Sequence, residues 1–325
     1  NLLDVVFEAN QASRGGAVDA RRLVQVSNSI FKGNTATSIG GGGRFVAGVT
    51  LSATQFLSNT ATVKAGGVYV EGPLNANASV FVNNAAADYG GAVLCATACS
   101  GRIATSLFSR NQATNGGPGV IITAGGLTIE NSTFGGTSFV VGAAILAYDG
   151  AWAAVTNTIV ASHTYGMRTS PGVIWEDYNL FSGNTQDRLD VVAGPHSVSG
   201  AASFVNPSAA ANDFSLRPAS AAIDRGNCPG YVPFTDLRGA LRRQGVACDI
   251  GAYEYGNASV QNAQSITNGI PITAAATSAG QAFWYRIGVP APDTLLTITL
   301  SPGAGAYDLL LFAPRLDGET GQLRD

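Results

Sequence analysis

Ser29-Ile30-Phe31-Lys32-Gly33-Asn34, Thr54-Gln55-Phe56-Leu57-Ser58-Asn59 and Ser79-Val80-Phe81-Val82-Asn83-Asn84 are three copies of one short pattern. Each places a hydroxyl residue two positions before a phenylalanine and an asparagine three positions after it. Working outward, a copy runs from Phe7 to Asn10, and another from Phe108 to Asn111. Weaker copies are anchored at Phe134 (with Thr137), Ile159 (with Ser162) and Phe181 (with Asn184). The steps between anchors are 24, 25, 25, 27, 26, 25 and 22 residues. A period in this range means one supersecondary unit stacked on copies of itself.

A second pattern lies between the anchors. Glycine pairs precede small or branched apolar residues at Gly15-Gly16-Ala17-Val18, Gly66-Gly67-Val68-Tyr69 and Gly90-Gly91-Ala92-Val93, with looser copies at Gly42-Gly43 and Gly116-Gly117. Upstream of the anchors, segments such as Leu23-Val24-Gln25-Val26 and Leu127-Thr128-Ile129 alternate apolar and polar, the signature of a half-buried strand. Each unit therefore holds two or three short strands joined by bends. One unit cannot bury its own apolar face, but stacked units can. The expected fold is all-β: a parallel β-helix of about eight coils, spaced by roughly 4.8 Å, over residues 1–205.

This geometry predicts a stack of Phe31, Phe56, Phe81, Phe108 and Phe134 inside the rod. Asn34, Asn59, Asn84 and Asn111 are expected to turn the chain and bond to one another from coil to coil. Ser29, Thr54, Ser79, Ser106, Ser132, Asn157 and Asn179 form a second expected polar ladder. The glycine pairs are expected to supply backbone angles that residues with a Cβ avoid.

Composition narrows the function. Charged residues are 12% of the 325-residue chain, and the net charge is −3. No basic tract exists, so nucleic-acid binding has no electrostatic support. No apolar stretch approaches the roughly 20 residues of a membrane span. The first residue already lies within a repeat, so the chain is expected to be an internal portion of a longer, processed protein. Cys95 and Cys99 are close in sequence, and Cys228 and Cys248 bracket one irregular segment. Two local disulfides are expected, hence an oxidising, extracellular or cell-surface location.

From about residue 178 the repeat gives way to a turn-dense run, Asn212 to Glu254, with a boundary placed at 206–255 for a segment that caps the open strand edges of the helix end. The repeats resemble those of the polymorphic outer membrane protein family. The run Leu216, Pro218, Ser220, Ala222, Ile223, Asp224, Gly226, followed by Asp249 to Glu254, resembles the closing module of secreted bacterial β-helix proteins of the choice-of-anchor type. That resemblance implies a secreted or surface-attached right-handed β-helix of bacterial type. Residues 256–325 resemble the front part of a pre-peptidase C-terminal domain, through Phe283-Trp284-Tyr285-Arg286-Ile287, Leu295 to Leu300 and Tyr307 to Phe312. This implies an incomplete β-sandwich.

β-helices also host polysaccharide lyases and hydrolases. The best-placed acids are Glu130 and Asp177, each four residues before an anchor and two coils apart, roughly 9.6 Å, which is near the carboxylate separation of inverting hydrolases. Trp175, His163, Tyr165 and Arg168 are expected near them, and Val155 is expected between them in the same column. Asp224, Asp236 and Asp249 could bind Ca²⁺ with loop carbonyls; the competing reading has the acids of this module cap turns and pair with Arg225, Arg238 or Arg242. No other cofactor is expected. The expected function is structural: a non-catalytic stalk, adhesin or fibre segment. It would contact further copies, other surface proteins or glycans, with covered edges near Leu2 to Phe7 and Leu309 to Phe312. The alternatives are a secreted carbohydrate-active enzyme using Glu130 and Asp177, and a passive glycan-binding module.

Overall fold

In a computed structural model the copies of the pattern fall into strict register. Phe7, Phe31, Phe56, Phe81, Phe108 and Phe134 are paired in sequence order along one parallel sheet. Their ring centroids lie 4.4 to 5.1 Å apart, and from Phe56 onward the planes are within 4° of parallel. All the predicted rings from Phe31 to Phe134 are buried. The structure describes residues 1–136, 140–228, 235–242 and 245–255, together with the strands Gln264–Ser265, Tyr285–Arg286, Arg315–Leu316 and Leu323–Arg324. The partial sandwich expected over 256–325, with Trp284 and the edge from Leu309 to Phe312, lies outside the described residues apart from those four short strands. Thr137 also lies outside them.

Four stacked parallel sheets build the rod. The anchor sheet holds the phenylalanines in nine strands, from Val6–Glu8 to Val198–Ser199. The upstream sheet has eight strands, from Leu2–Leu3 to Val173–Asp177, so seven turns separate its first strand from its last. The glycine-pair sheet also has eight, from Val18–Ala20 to Gln186–Leu189, and a short sheet of five closes the wall between Gln11–Arg14 and Gln112–Ala113. No helix occurs among the described residues. The core runs down the middle, from Val26 and Phe31 to Met167 and Phe181.

At Asn34, Asn59 and Asn84 the asparagine ladder is fully satisfied. Asn59 Nδ2 donates to Asn84 Oδ1 at 3.0 Å and to the Phe31 carbonyl at 2.9 Å. Its own Oδ1 accepts from the backbone N and the Nδ2 of Asn34, at 3.0 and 2.9 Å. The same pattern links Asn10, Asn34, Asn84 and Asn111. A primary amide has two donors and one carbonyl acceptor, and here each is used, so a side chain buried without water loses nothing by it. The asparagines do not themselves turn the chain. The residue before each ladder position does: Ala9, Gly33, Ser58, Asn83, Arg110, Ser162 (ahead of His163) and Gly183 all adopt positive φ between 54° and 65°. A second column of positive φ, through Asn28, Ala53, Ala78, Thr105, Asn131 and Asn157, bends the chain just before the anchor strand. Such angles cost a residue with a Cβ about 1 kcal/mol, and the ladder on either side of the strand offsets that cost.

Register corrects two alignments. Phe134 pairs with Val160, not Ile159, and Val160 pairs with Phe181. The inward anchor of that coil is Val160, and the hydroxyl ladder passes through Thr158 rather than Asn157. Thr158 Oγ1 donates to the Thr156 carbonyl at 2.9 Å, as Ser79 Oγ does to Asn77 at 3.0 Å. The glycine pairs also shift. Gly40, Ala65, Gly90 and Gly117 carry the positive φ. The glycines after three of these, Gly41, Gly66 and Gly91, are needed for a different reason: a Cβ there would collide with the backbone of the neighbouring coil.

The largest correction concerns the closing segment. It does not stand beyond the last coil but runs back along the outside of the anchor sheet. Leu216, Ala222 and Ile250 pack on Ile159, Ala161 and Leu180, while Phe214, Ala252 and Tyr253 pack on Leu107. Asn212 Oδ1 accepts from Arg110 at 2.9 Å, and the Ala252 N–H donates to Thr133 Oγ1 at 2.9 Å. The physical reason lies in the anchor strands. Their outward residues are polar or partly exposed in early coils (Gln55, Val80) but apolar and buried in later ones (Leu107, Ile159, Leu180), and that stripe needs a cover.

The end of the core is closed instead by residues 186–198. Arg188 lies 4.2 Å over the ring of Phe181, and Val191 packs against the core.

Candidate functional site

Both disulfides form, Cys95 to Cys99 and Cys228 to Cys248, with Cα separations of 5.5 and 5.9 Å. They fit a non-reducing environment. No helix among the described residues is long and apolar enough to cross a membrane.

Glu130 and Asp177 do share one column of the upstream sheet, as expected, but Thr156 rather than Val155 lies between them. Val155 points into the core, one place along the same strand. Each carboxylate is already engaged. Glu130 is buried and forms an ion pair with Arg102 of the preceding coil. Asp177 Oδ1 accepts from the backbone N–H of Tyr178 and of His196, at 2.9 and 2.8 Å, and its Oδ2 meets His196 Nδ1 at 2.8 Å. Tyr178 stacks on the His196 ring at 4.4 Å. Burial works against the ionised form of Asp177, but the bonds from His196 and Tyr178 outweigh it and hold the carboxyl below its usual range. A general acid for glycoside hydrolysis needs the opposite shift.

The side chains expected around this pair are dispersed. Trp175 does lie on the outer face of the upstream sheet. Tyr165 and Arg168 stand on the glycine-pair sheet, with Arg168 5.5 Å from the Tyr165 ring. His163 points inward, in the column that holds asparagine elsewhere, and its backbone N–H donates to Asn184 Oδ1 at 3.0 Å. Its Nδ1 has no hydrogen-bond partner among the described residues. Burial pushes its pKa down to about 4.

The acids of the closing segment act as turn clamps. Asp236 Oδ1 accepts from the N–H of Arg238 and Ala240 at 2.7 and 2.8 Å, and its Oδ2 accepts from the Glu254 N–H at 3.0 Å. Asp249 accepts from the N–H of Asp224 at 2.8 Å and from that of Tyr255. Asp224 Oδ1 accepts from the Ala247 N–H at 3.1 Å. Arg242, almost wholly enclosed, pairs with Glu254 at 3.0 Å, and Arg238 pairs with Asp236 at 3.3 Å. No group of three or more His, Cys, Asp or Glu side chains among the described residues is placed to hold a metal ion.

Sequence reasoning missed Glu176. It occupies the inward column of Ile103, Ile129 and Val155, and its side chain is fully enclosed. Arg188 Nε donates to it at 2.7 Å, the Gly194 N–H at 2.6 Å, Ser197 Oγ at 2.5 Å and Asn179 Nδ2 at 2.9 Å. This polar plug finishes the apolar core. The signal for it was present: an acid five residues before an anchor, where the other coils are mostly apolar. Searches against family models, curated proteins and solved structures return no match for the chain. The fold therefore stands on its own geometry as a parallel β-helix, and the family resemblances of its motifs remain resemblances.

Proposed function

We propose that this chain is a non-catalytic extracellular rod, a structural or adhesive segment of a large bacterial surface protein. The observation that carries this reading is the state of its two best-placed acids. Glu130 is paired with Arg102, and Asp177 is held by hydrogen bonds from Tyr178 and His196, so neither is free to work as an acid or nucleophile. The disulfides, and the resemblance of the repeats to those of bacterial surface proteins, support the location. The exposed Leu3 and Val6 support lateral contact with other copies or other surface proteins. The experiment is an incubation of wild type and of the Glu130→Ala, Asp177→Ala double variant with plant and bacterial polysaccharides. No reducing ends or unsaturated products should appear with either. Product release lost in the double variant would replace this reading with a carbohydrate-active enzyme. Chelation should leave the melting temperature unchanged, and a fall would place Ca²⁺ among the acids of the closing segment.

A further inference from the structure

We infer that the outer face of the upstream sheet, at the pair Trp152 and Trp175, is a binding platform for an uncharged glycan chain of pyranose sugars. This rests on the non-catalytic reading above and names the ligand class that such a rod would hold. The two indoles are 38% and 60% exposed, with centroids 5.9 Å apart and planes inclined at 52°. They sit on adjacent coils, since Trp175 pairs with Ala154, two residues along from Trp152. Large aromatics left in water on a regular sheet face are costly unless something covers them. A tryptophan presents a flat apolar ring with a polar N–H at its edge, which suits the C–H face of a pyranose bordered by hydroxyls.

Trp152 is held in place. Its ring lies over the backbone of Gly126 in the coil below, in the space that any side chain there would fill. A ring immobilised before binding loses less rotamer freedom on contact. Trp175 pairs with Ala154 rather than a glycine, and its ring is tilted against that of Trp152.

Charge decides between ligands. Of the acids of this face, Glu130 is paired with Arg102 and Asp177 is taken up by hydrogen bonds from Tyr178 and His196. Carboxylates on the face disfavour an anionic polymer, and carboxylates already held by groups of the chain have little to offer a cationic one, which leaves an uncharged chain. The same face continues along the rod as columns of amides and hydroxyls, Gln25, Thr50 and Asn75 beside Ser27, Ser52 and Asn77, one rung per coil. Those groups can bond to sugar hydroxyls along an extended chain whose residue repeat is close to the coil spacing.

The test uses cellohexaose, xylohexaose and chitohexaose as probes, with calorimetric titration of the whole chain. At least one should bind, and Trp175→Ala should weaken that binding by about tenfold or more with an unchanged melting curve. Trp152→Phe should weaken it less. Absence of binding by all three probes, or binding indifferent to Trp175→Ala, would overturn the assignment. Sedimentation run alongside covers the other occupant: self-association lost in Trp175→Ala would make the face a contact between copies and overturn it too. Reducing-end release in the same incubations would instead sink the non-catalytic reading while leaving the binding face in place, so the two failures are distinguishable.

Discussion

The rod and the segment laid along its side are held together by opposite means. In the rod, stacked rings and self-satisfied amides repeat from coil to coil, and the interior carries almost no charge until Glu176 closes it. In residues 200–255 the apolar stripe is thin and the chain is pinned by turn-clamping aspartates, one enclosed arginine–glutamate pair and a disulfide. The rod gains stability by repetition, because every coil is a partner for the next. The lateral segment has no repeat to lean on, so each of its turns needs its own clamp. Removing one of the rod's rings should therefore weaken the whole stack, while removing a clamp should free only the cover.

The largest effect is expected for Phe81→Ala, which opens a cavity between Phe56 and Phe108. It should lower stability by about 4 kcal/mol, seen as a lower midpoint in urea, with amides of neighbouring coils losing protection together. Loss confined to one coil would break the picture of a cooperative stack.

Replacing both Cys228 and Cys248 by serine opens a loop that spans 20 residues. It should cost about 3 kcal/mol, and only the lateral segment should lose exchange protection. A matching loss in the coils around Phe56 would show that the two regions unfold as one.

Acid should separate the regions by sign. His163 is held near 4 by burial, below the ordinary 6.5, so the unfolded chain takes up the proton first. The stability this contributes is complete above pH 6.5 and declines as pH falls toward 4, by about 2 kcal/mol between pH 7 and pH 5. Burial moves the carboxyl of Asp249 the other way, above its ordinary range. Its contribution is present below that range and is lost as pH rises toward the folded value. Protection factors corrected for intrinsic exchange should fall in the coil of Ile159 to Ala161 and hold or rise near Ile250 on acidification. His163→Asn, which restores the ladder residue, should abolish the rod's response. A persistent response in that variant would exclude His163 as its source.

The smallest effect belongs to the surface. Lys32 and Glu8 meet at 2.7 Å on the first coils with both side chains mostly in water. Lys32→Ala should shift stability by no more than about 0.5 kcal/mol. A larger change would mean that the rod draws on surface charge, contrary to the contrast drawn with the lateral segment.

Much of the rod was legible because its signals repeat. Phe31, Phe56 and Phe81 with their asparagines gave the period, the inward face and the ladder. The alignment slipped where the repeat itself frays: with a valine as anchor, Ile159 and Val160 are both apolar, and only strand pairing shows which one faces in. The site was less legible. Glu130 and Asp177 were placed in one column, but their partners Arg102 and His196 come from a neighbouring coil and from the end loop, at offsets that no local pattern encodes. Trp175 was expected near the acid pair, but nothing local marks Trp152 as its neighbour; only register sets the two on adjacent coils.

By itself, the sequence determined the all-β repeat, its period, the buried rings and amides and the two disulfide pairs, because each depends on spacing along the chain. The tertiary structure alone decided where the non-repeating segments go. The segment read as a cap became a lateral cover because the outward residues Leu107, Ile159 and Leu180 form an apolar stripe only once the coils are stacked. The core's true end became a plug around Glu176 because an inward carboxylate must find its donors in whatever chain closes over it, here Arg188, Gly194 and Ser197.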